Sequence, residues 1–477
     1  MAAGSPGSYS YDFVVIGGGS AGLTAARFAA RLGKRVAIVE AGRLGGDCTW
    51  TGCVPSKALL RAARAAHDVR TAHLFGIEAD DPRTQWPAVM SRVRSVINQL
   101  YAAESPSALE AEGIDTYRGF ASFINPHRII AGDAVIDGKR FLIATGARPS
   151  IPPIPGLDWT SYVTYESIWD LEALPGKLLI VGGGPIGCEL AQAFRRLGSR
   201  VTVLESAGRI LGNAEPEVSD LLTRVLVAEG VEVKLGVSID AVSSTEGRPA
   251  VRVPGQEWTA DTLLMATGRA PSIATLGLDN AGVEWSDRGI EADGALRTSQ
   301  KHIYAAGDCT GGAQFTHYAG WQGFMAARNA LLPGRARGLL HTVPWGLFTE
   351  PEVAQSGLTE AEARARHGDS VCVTLWPLES SDRPVIDAGE AGFIKLVATK
   401  RGRLLGATIV GARAGEMVQE WAMAIRDRAR LSDLALSPHI YPTYSMSTQQ
   451  LAADAAVTGL LSGLSGRVIL ALSRLKG

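Results

Sequence analysis

The 477-residue chain has few cysteines and almost no net charge, with five cysteines and 47 basic against 48 acidic residues. So few cysteines in so long a chain do not suit a disulfide-stapled secreted domain. The net charge of −1 gives no electrostatic basis for nucleic-acid binding. No apolar run reaches the roughly 18 to 20 residues of a membrane-spanning helix. With 46% hydrophobic residues, the chain is typical of a globular protein of roughly two to four domains.

The first eleven residues lack the basic segment and the long apolar run of a secretory signal peptide. Residues 13–16 are instead typical of a short buried strand. We therefore expect a cytoplasmic protein without membrane contact. In a reducing cytoplasm, a close pair of cysteines cycles between thiol and disulfide and does not form a permanent structural disulfide.

Such a pair is present, since Cys48 and Cys53 lie shortly after a glycine-rich turn. Zinc needs three or four ligands, and no second cysteine pair or paired histidines follow at a suitable spacing, so the sequence predicts no metal site. A close cysteine pair is usually interpreted as a structural disulfide only in small secreted domains. Thiolates also attack disulfides, bind soft metals and exchange electrons with flavins. The pair therefore favours redox chemistry beside a bound nucleotide.

The glycine-rich turn at residues 17–22 stands between an apolar strand and an alanine-rich helix, and a second strand follows. This is the order of a dinucleotide-binding unit. Gly17 suits the tight turn, Gly19 lets a pyrophosphate approach the backbone, and Gly22 allows the helix to pack on the strand. Glu40, at the end of the second strand, can hold ribose hydroxyls.

The same pattern recurs later in the chain with Gly182, Gly184, Gly187 and the acidic Glu205. Two dinucleotide sites in one chain suggest that electrons pass from one bound cofactor to another. A glutamate at this position accepts hydrogen bonds from free ribose hydroxyls and repels a 2′-phosphate, which favours NADH over NADPH. The nearby Arg209 could tolerate the phosphate, so NADPH stays open.

Two Ala-Thr-Gly turns, at residues 144–146 and 266–268, each follow an apolar strand and closely resemble each other. This near-repeat favours two homologous nucleotide-binding lobes. Asp308, at the end of another short apolar strand, is typical of a second contact to the sugar chain of a cofactor.

Together these motifs resemble the class I pyridine nucleotide-disulfide oxidoreductases, which include glutathione reductase, dihydrolipoyl dehydrogenase and mercuric reductase. The resemblance covers about residues 9 to 455. It implies an α/β fold with two Rossmann-like dinucleotide-binding domains and a C-terminal α+β dimerisation domain, and hence a homodimer. The implied boundaries are an FAD-binding domain at 9–158 and 275–341, an NAD(P)-binding domain at 159–274, and a dimerisation domain with a helical tail at 342–477.

The resemblance also implies which residues hold each cofactor. Those matching the FAD site are Gly17, Gly19, Gly22, Glu40, Gly46, Lys57, Thr145, Gly146 and Asp308, with Gln314, Phe315, Thr316, His317 and Ala319 at the start of a helix facing the flavin ring. Those matching the pyridine nucleotide site are Gly182, Gly184, Gly187 and Glu205, and Gly268 is a further predicted cofactor-binding residue.

Catalytic roles follow from the same resemblance. Cys48 corresponds to the cysteine that meets the substrate, and Cys53 to the one that contacts the flavin. Lys57 and Glu189 correspond to an ion pair beside the reactive nitrogen of the flavin, where a cation can stabilise negative charge. Electrons are then expected to pass from NADH through the flavin and the cysteine pair to an acceptor.

Near its C-terminus the chain departs from the disulfide-reducing members. Tyr441 stands where the family's catalytic histidine would be, and Met446 replaces the supporting glutamate. A tyrosine with an ordinary pKa near 10 is a poor base at neutral pH, and a positioned acid-base contributes about 10² to 10⁴ in rate. His439 is two residues displaced, so a structural role is favoured for it.

The missing dyad favours an acceptor that needs no proton on a leaving sulfur, such as a mercuric or other soft metal ion, or a quinone. Dedicated mercuric reductases carry a second C-terminal cysteine pair, and nothing after Cys372 serves that purpose here. Dihydrolipoyl dehydrogenase or another disulfide reductase is the alternative enzyme. A poorly catalytic redox sensor that binds FAD and NADH is the alternative of another class.

Two further expectations concern packing. Cys188, Cys309 and Cys372 are predicted to be buried core thiols. The tail at 455–476 is predicted to be an amphipathic helix that packs on the body of the protein through Leu460, Leu461, Leu464, Val468 and Leu472, with Arg467, Arg474 and Lys476 near its end.

Overall fold

The first third of the chain folds into a lobe built on a parallel sheet. The structure, a computed structural model, describes residues 9–340, 342–389 and 391–461, with 468 and 473 beyond them. The elements up to residue 149 are β1 (Phe13–Ile16), α1 (Ser20–Arg31), β2 (Val36–Glu40), α2 (Gly46–Trp50), α3 (Cys53–Thr71), α4 (Trp86–Tyr101), α5 (Pro106–Ala111), β3 (Ile114–Arg118), β4 (Ala121–Asn125), β5 (Arg128–Ala131), β6 (Ala134–Asp137), β7 (Phe141–Ile143) and β8 (Ala147–Pro149). All four residues of β1 are buried, as expected for a central parallel strand covered on both faces.

A second lobe repeats this plan. Its elements are β9 (Lys177–Val181), α6 (Pro185–Leu197), β10 (Arg200–Leu204), α7 (Pro216–Ala228), β11 (Glu232–Lys234), β12 (Ala241–Thr245), β13 (Arg248–Val253), β14 (Gln256–Thr259), β15 (Thr262–Met265) and β16 (Arg269–Pro271). Four of these strands form a parallel sheet in the order β11-β10-β9-β15. Helix α6 begins at Pro185, because proline suits the first helical turn.

The chain then returns to the first lobe. The elements of this stretch are α8 (Leu278–Ala281), β17 (Trp285–Ser286), β18 (Gly289–Ile290), β19 (Ile303–Ala305) and α9 (Thr316–Leu331). β19 joins the edge of the first sheet, whose order is β19-β7-β1-β2-β3, all parallel. Helix α9 packs closely on α1, since a Cβ at Gly323 would lie 2.1 Å from the Ala21 carbonyl oxygen. The carboxyl ends of β1, β7 and β19 therefore meet at one edge of the sheet, where ligands bind in such folds.

The remainder is an α+β unit. Its elements are β20 (Trp345–Leu347), β21 (Val353–Gly357), α10 (Glu360–His367), β22 (Val371–Pro377), α11 (Asp382–Ile386), β23 (Phe393–Thr399), β24 (Leu404–Val410), α12 (Ala414–Arg426), α13 (Leu431–Ala435) and α14 (Met446–Leu461). An antiparallel sheet in the order β20-β21-β24-β23-β22 carries the helices. The predicted fold class is confirmed, whereas the boundaries at 158, 274 and 341 stay predictions.

Two packing expectations are wrong. Cys372 is exposed, because β22 lies at the edge of its sheet and alternate residues of an edge strand face solvent. The tail helix begins at Met446 and packs through its first two turns, so Leu460 and Leu461 are 55% and 40% exposed. Val468 is also exposed. The predicted contacts of Leu464 and Leu472, and the charges at Arg467, Arg474 and Lys476, lie outside the described residues.

Buried cysteines are confirmed at Cys188 and Cys309. In the part of the chain that the structure describes, no helix combines the length and apolar character needed to cross a lipid bilayer.

Candidate active site

The first glycine turn is shaped by backbone contacts that exclude side chains. Gly17 has a φ of +106°, and a Cβ there would lie 2.3 Å from the Ala144 carbonyl oxygen. A Cβ at Gly22 would lie 1.9 Å from the Gly17 carbonyl oxygen. Glu40 accepts a hydrogen bond of 2.6 Å from the Gly18 amide, so its carboxylate is held at the turn. This is the local geometry that a dinucleotide needs to approach the N-terminus of α1.

A cavity of about 540 Å³ opens at this turn. It lies where strands of the first sheet end, and residues from α2, α3, α9 and the second lobe close it. The predicted site residues that line it are Gly17, Gly19, Glu40, Gly46, Cys48, Cys53, Thr145, Gly146, Asp308, Thr316 and Ala319. Residues separated by up to three hundred positions are thus brought together around one space.

The cavity wall holds two buried polar atoms that have no hydrogen-bond partner among the described residues, Thr145 Oγ1 and Arg269 Nε. Buried donors and acceptors are normally paired, so such atoms point to a ligand. Open space beside Gly146, where a Cβ would meet nothing within 4 Å, adds room for one. The turn, the cavity and the unpaired atoms fit FAD, the cofactor that the sequence resemblance implies.

The two cysteines are half-buried free thiols in the same wall. Cys53, the first residue of α3, shares a hydrogen bond of 3.2 Å with the Thr316 hydroxyl. The hydrogen bond from Cys48, that hydroxyl and the Lys57 cation outweigh burial and lower the pKa of Cys53 to about 6. The adjacent Cys53 and burial raise the pKa of Cys48. In the reduced pair the thiolate is therefore favoured on Cys53 and the proton on Cys48.

Lys57 lies one turn after Cys53 on α3 and forms an ion pair with Glu189 of α6, at 2.9 Å between Nζ and Oε2. The ammonium also lies 4.7 Å from the centre of the Phe348 ring. Glu189 is buried, and its Oε1 accepts a hydrogen bond of 2.9 Å from the Phe348 amide. The Lys57–Glu189 ion pair thus connects both lobes and the C-terminal unit beside the two cysteines. Its placement beside a flavin nitrogen stays a prediction.

The second glycine turn has the same backbone geometry as the first. A Cβ at Gly182 would lie 2.3 Å from the Ala266 carbonyl oxygen, and one at Gly187 would lie 2.0 Å from Gly182. Glu205 accepts a hydrogen bond of 2.6 Å from the Gly183 amide. The predicted residues of this turn, none of which lines the 540 Å³ cavity, are Gly182, Gly184, Gly187, Glu205 and Gly268.

Not every predicted flavin-site residue reaches the cavity. Gln314, Phe315 and His317 do not line it, although the neighbouring Thr316 and Ala319 do. The rings of Phe315 and His317 stack on each other at 5.6 Å, and His317 Nε2–H donates to the Pro344 carbonyl at 2.8 Å. The Phe315 and His317 side chains therefore pack at the start of α9 without lining the cavity.

Tyr441 does not line the cavity within its own chain and is 64% exposed. A hydrogen bond with Asp382 raises its pKa, which makes it a still poorer base. His439 has both ring nitrogens occupied, Nδ1 by the Ser437 carbonyl at 2.8 Å and Nε2 by Glu420 at 3.0 Å. These contacts favour the structural role expected for this histidine.

Sequence reasoning missed a cluster around Arg269. Its guanidinium Nη2 lies 2.6 Å from Asp47 Oδ2 and 3.1 Å from Asp308 Oδ2, and the guanidinium lies over the Tyr165 ring at 5.2 Å. Burial raises the pKa of both aspartates. A signal was present, because Arg269 directly follows the second Ala-Thr-Gly turn, whereas Arg148 follows the first turn one residue later.

Among the described residues, no group of three or more histidine, cysteine, aspartate or glutamate side chains is arranged to hold a metal ion. A metal ion that meets the cysteine pair would thus find two thiol ligands from this chain.

Solved structures support the same arrangement of domains. The HOCl-induced flavoprotein disulfide reductase RclA from Escherichia coli is 30% identical, with a TM-score of 0.85 over 93% of this chain and 99% of that one. A Cu(II) complex of RclA gives a TM-score of 0.84.

Among curated relatives, the mercuric reductase of Acidithiobacillus ferrooxidans is 37% identical over 91% of this chain and 80% of its own length. The dihydrolipoyl dehydrogenase of Thermus scotoductus is 35% identical over 93% and 97%. The family model "Pyridine nucleotide-disulphide oxidoreductase" matches residues 11–323, and the model of its dimerisation domain matches residues 343–452. The chain therefore belongs to the pyridine nucleotide-disulphide oxidoreductase family.

Proposed function

We propose that the chain is an FAD-dependent NAD(P)H oxidoreductase, with NADH favoured, whose Cys48–Cys53 pair delivers electrons to a non-standard acceptor. The observation that carries this proposal is that both sulfurs lie in the wall of the cavity built on the first glycine turn. FAD, when bound there, would accept two electrons from a nicotinamide and pass them to a neighbouring disulfide.

The chain's own groups prepare the sulfur pair for this task. Thr316 donates its hydroxyl to Cys53, and Lys57 supplies a cation one turn away, so the Cys53 thiolate is favoured. Cys48 keeps its proton and is the thiol left to meet an acceptor. A reactive cysteine needs such an electropositive, partly exposed setting.

A preference for NADH is supported by the contacts at the second turn. Glu205 follows the second strand of this unit, the position at which a carboxylate accepts from ribose hydroxyls and repels a 2′-phosphate. Arg209, the nearest candidate cation in sequence, donates from Nη2 to the Gly212 carbonyl at 2.7 Å and so is already engaged.

A metal ion or a quinone is the proposed acceptor class. Tyr441 and His439 offer this chain no free acid-base group for protonating a leaving sulfur. Soft thiolates suit soft metal ions, and named relatives include mercuric reductases and a Cu(II) complex of RclA. Mercuric ion is the first candidate, and cupric ion is a second one.

We also propose a homodimer, supported by the dimerisation-domain match at residues 343–452. Leu436 and Ile440, which flank this region's last helices, are 82% and 80% exposed and suit burial against a second copy. In that dimer Tyr441 is expected to reach the neighbour's disulfide. Light scattering of the purified protein at several concentrations tests this, and a monomer throughout would contradict it.

Anaerobic titration of the purified yellow protein tests the electron path. We expect two equivalents of NADH to be consumed. After the first equivalent, a long-wavelength absorption band from the Cys53 thiolate beside the flavin should appear; it is called the thiolate band below. Cys53→Ser removes the band, whereas Cys48→Ser keeps it because the Cys53 sulfur remains. Uptake of one equivalent without the band would contradict a redox-active disulfide.

An acceptor panel then separates the candidate activities. Mercuric ion, cupric ion, quinones, lipoamide and glutathione disulfide are compared with NADH and with NADPH. Turnover with a metal ion or quinone and little with lipoamide supports the proposal. Efficient lipoamide turnover would favour dihydrolipoyl dehydrogenase, as the relative from Thermus scotoductus suggests. Slow turnover with every acceptor would favour a redox sensor.

A further inference from the structure

Two arginines follow the two Ala-Thr-Gly turns but face opposite sides of a small sheet. β8 and β16 pair antiparallel, with Arg148 opposite Ala270 and Arg269 opposite Pro149. Because side chains alternate along a strand, this register sends the two arginines to different faces. Both arginines line the cavity, but Arg148 is exposed, whereas the Arg269 side chain is only 21% exposed.

The contacts of Arg269 leave one buried donor without an acceptor. Its Nη2 atom serves Asp47 and Asp308, but its Nε atom is buried and has no hydrogen-bond partner among the described residues. A buried N–H without an acceptor costs the free energy of its lost hydration. A fixed guanidinium fork also presents its donors in defined directions. The Nε–H is therefore placed for an acceptor that occupies the cavity.

The charge of the wall suits an anionic occupant because two arginines, Arg148 and Arg269, offset its carboxylates. Three carboxylates line the cavity, from Glu40, Asp47 and Asp308. The diphosphate of a dinucleotide adds negative charge to this wall. Arg269 is a buried cation within it, and charge-assisted hydrogen bonds are about twice as strong as neutral ones.

We infer that Arg269, a residue of the second lobe, anchors the dinucleotide of the first lobe by donating its Nε–H to an oxygen of that ligand. The inference rests on the proposed binding of FAD in this cavity. It makes Arg269 a residue through which the second lobe retains the cofactor of the first.

The test is the rate at which the purified holoprotein releases FAD on dilution, followed by the rise in flavin fluorescence, together with the bound FAD per chain. We expect Arg269→Met to release FAD at least about tenfold faster, the effect of one lost charge-assisted hydrogen bond. Arg269→Lys keeps the charge but lacks the Nε donor, so it is expected to release FAD faster as well. The matched control is Arg128→Met, which removes an arginine paired with Asp137 outside the cavity.

Repeating the Arg269→Met substitution in an Asp47→Asn variant distinguishes ligand binding by Arg269 from its role as a counter-ion. In Asp47→Asn the shorter ion pair of Arg269 is already lost, so a role as counter-ion to Asp47 predicts little further effect of Arg269→Met there. Ligand anchoring predicts the same acceleration in both backgrounds. Wild-type release rates in Arg269→Lys, or no further effect in the Asp47→Asn background, would overturn the inference. Purification of the wild type without any flavin would instead refute the proposed function itself.

Discussion

The two nucleotide-binding lobes share one backbone design but differ in what surrounds it. Gly17 and Gly182 each approach a carbonyl oxygen so closely that a Cβ would lie 2.3 Å from it. Glu40 and Glu205 each accept a 2.6 Å hydrogen bond from the second glycine of their turn. The turn itself therefore does not distinguish a resident cofactor from an exchangeable one.

The difference lies at the Ala-Thr-Gly turns. Thr145 in the first lobe has a buried hydroxyl without a partner among the described residues. Thr267, its counterpart, already donates to the Ser150 carbonyl at 2.6 Å. The Thr145 hydroxyl lies in the wall of the 540 Å³ cavity, to which Arg269 and Cys53 of α3 also contribute. We propose that the groups around the first turn contribute to ligand retention, in addition to the approach that the glycine turn allows.

Alanine at the two tight glycines tests the shared design and has the largest expected effect. Gly17→Ala forces a Cβ against the Ala144 carbonyl at a φ of +106°, and Gly182→Ala does the same against Ala266. We expect Gly17→Ala to abolish FAD binding. Gly182→Ala should keep FAD and lose NADH binding. Bound flavin per chain and NADH titration measure the two effects.

The control for both variants is Gly208→Ala, since a Cβ there would meet nothing within 4 Å. It should bind both nucleotides as the wild type does. Loss of FAD from Gly182→Ala would show that the lobes do not act separately.

Substitution of the corresponding glutamates, Glu40 and Glu205, tests the comparison of the two lobes with a smaller expected effect. Glu205→Gln removes the charge that repels a 2′-phosphate, so the preference for NADH over NADPH should fall roughly tenfold. Glu40→Gln should weaken FAD retention and leave that preference unchanged. The ratio of kcat/KM for the two nucleotides is the measurement. An unchanged ratio in Glu205→Gln would assign specificity to another residue.

How far the sequence predicts this site depends on whether a feature is local. The glycine turns were predictable because the glycines, and the glutamate that accepts from a turn amide, stand at fixed offsets along the chain. Arg269 was missed because its role depends on the pairing of β16 with β8, two strands more than a hundred residues apart. A shift of one residue relative to Arg148 decides which arginine is buried, and the near-repeat of the two turns hid that shift.

The same limit explains the error at Cys372. Its apolar neighbours predicted a buried strand, and the strand exists, but only the order of the sheet shows that β22 is an edge. The α/β fold, in contrast, follows from apolar strands and helices that alternate along the chain. Residue roles in cofactor binding stay predictions until the variants described above are measured.

The ion pair between the lobes gives a pH-dependent test. Because the pKa of Cys53 is lowered to about 6, the thiolate band should be present at neutral pH and fade as the pH falls through about 6. Lys57→Met removes a cation that favours the thiolate and leaves Glu189 unpaired, so the pKa of Cys53 should rise and the band should fade at a higher pH. Absorbance during an acid titration of the NADH-reduced protein measures this.

Glu189→Gln added to Lys57→Met is the matching control. It removes the unpaired negative charge that disfavours the thiolate, so the fading point should move back toward the wild-type pH. The same fading point in all three proteins would mean that the pair supports packing between α3 and α6 without tuning the sulfur.

The smallest expected effect compares the two threonines directly. Thr145→Val removes a hydroxyl that has no described protein partner, so the apoprotein should keep its stability while FAD is released a few-fold faster. Thr267→Val removes the hydrogen bond to Ser150, so unfolding should become easier by about 1 kcal/mol without a change in FAD release. Thermal unfolding of the apoproteins and dilution of the holoproteins distinguish the two. If both variants lose only stability, the free hydroxyl of Thr145 is not a ligand contact, and the two lobes differ less than their surroundings indicate.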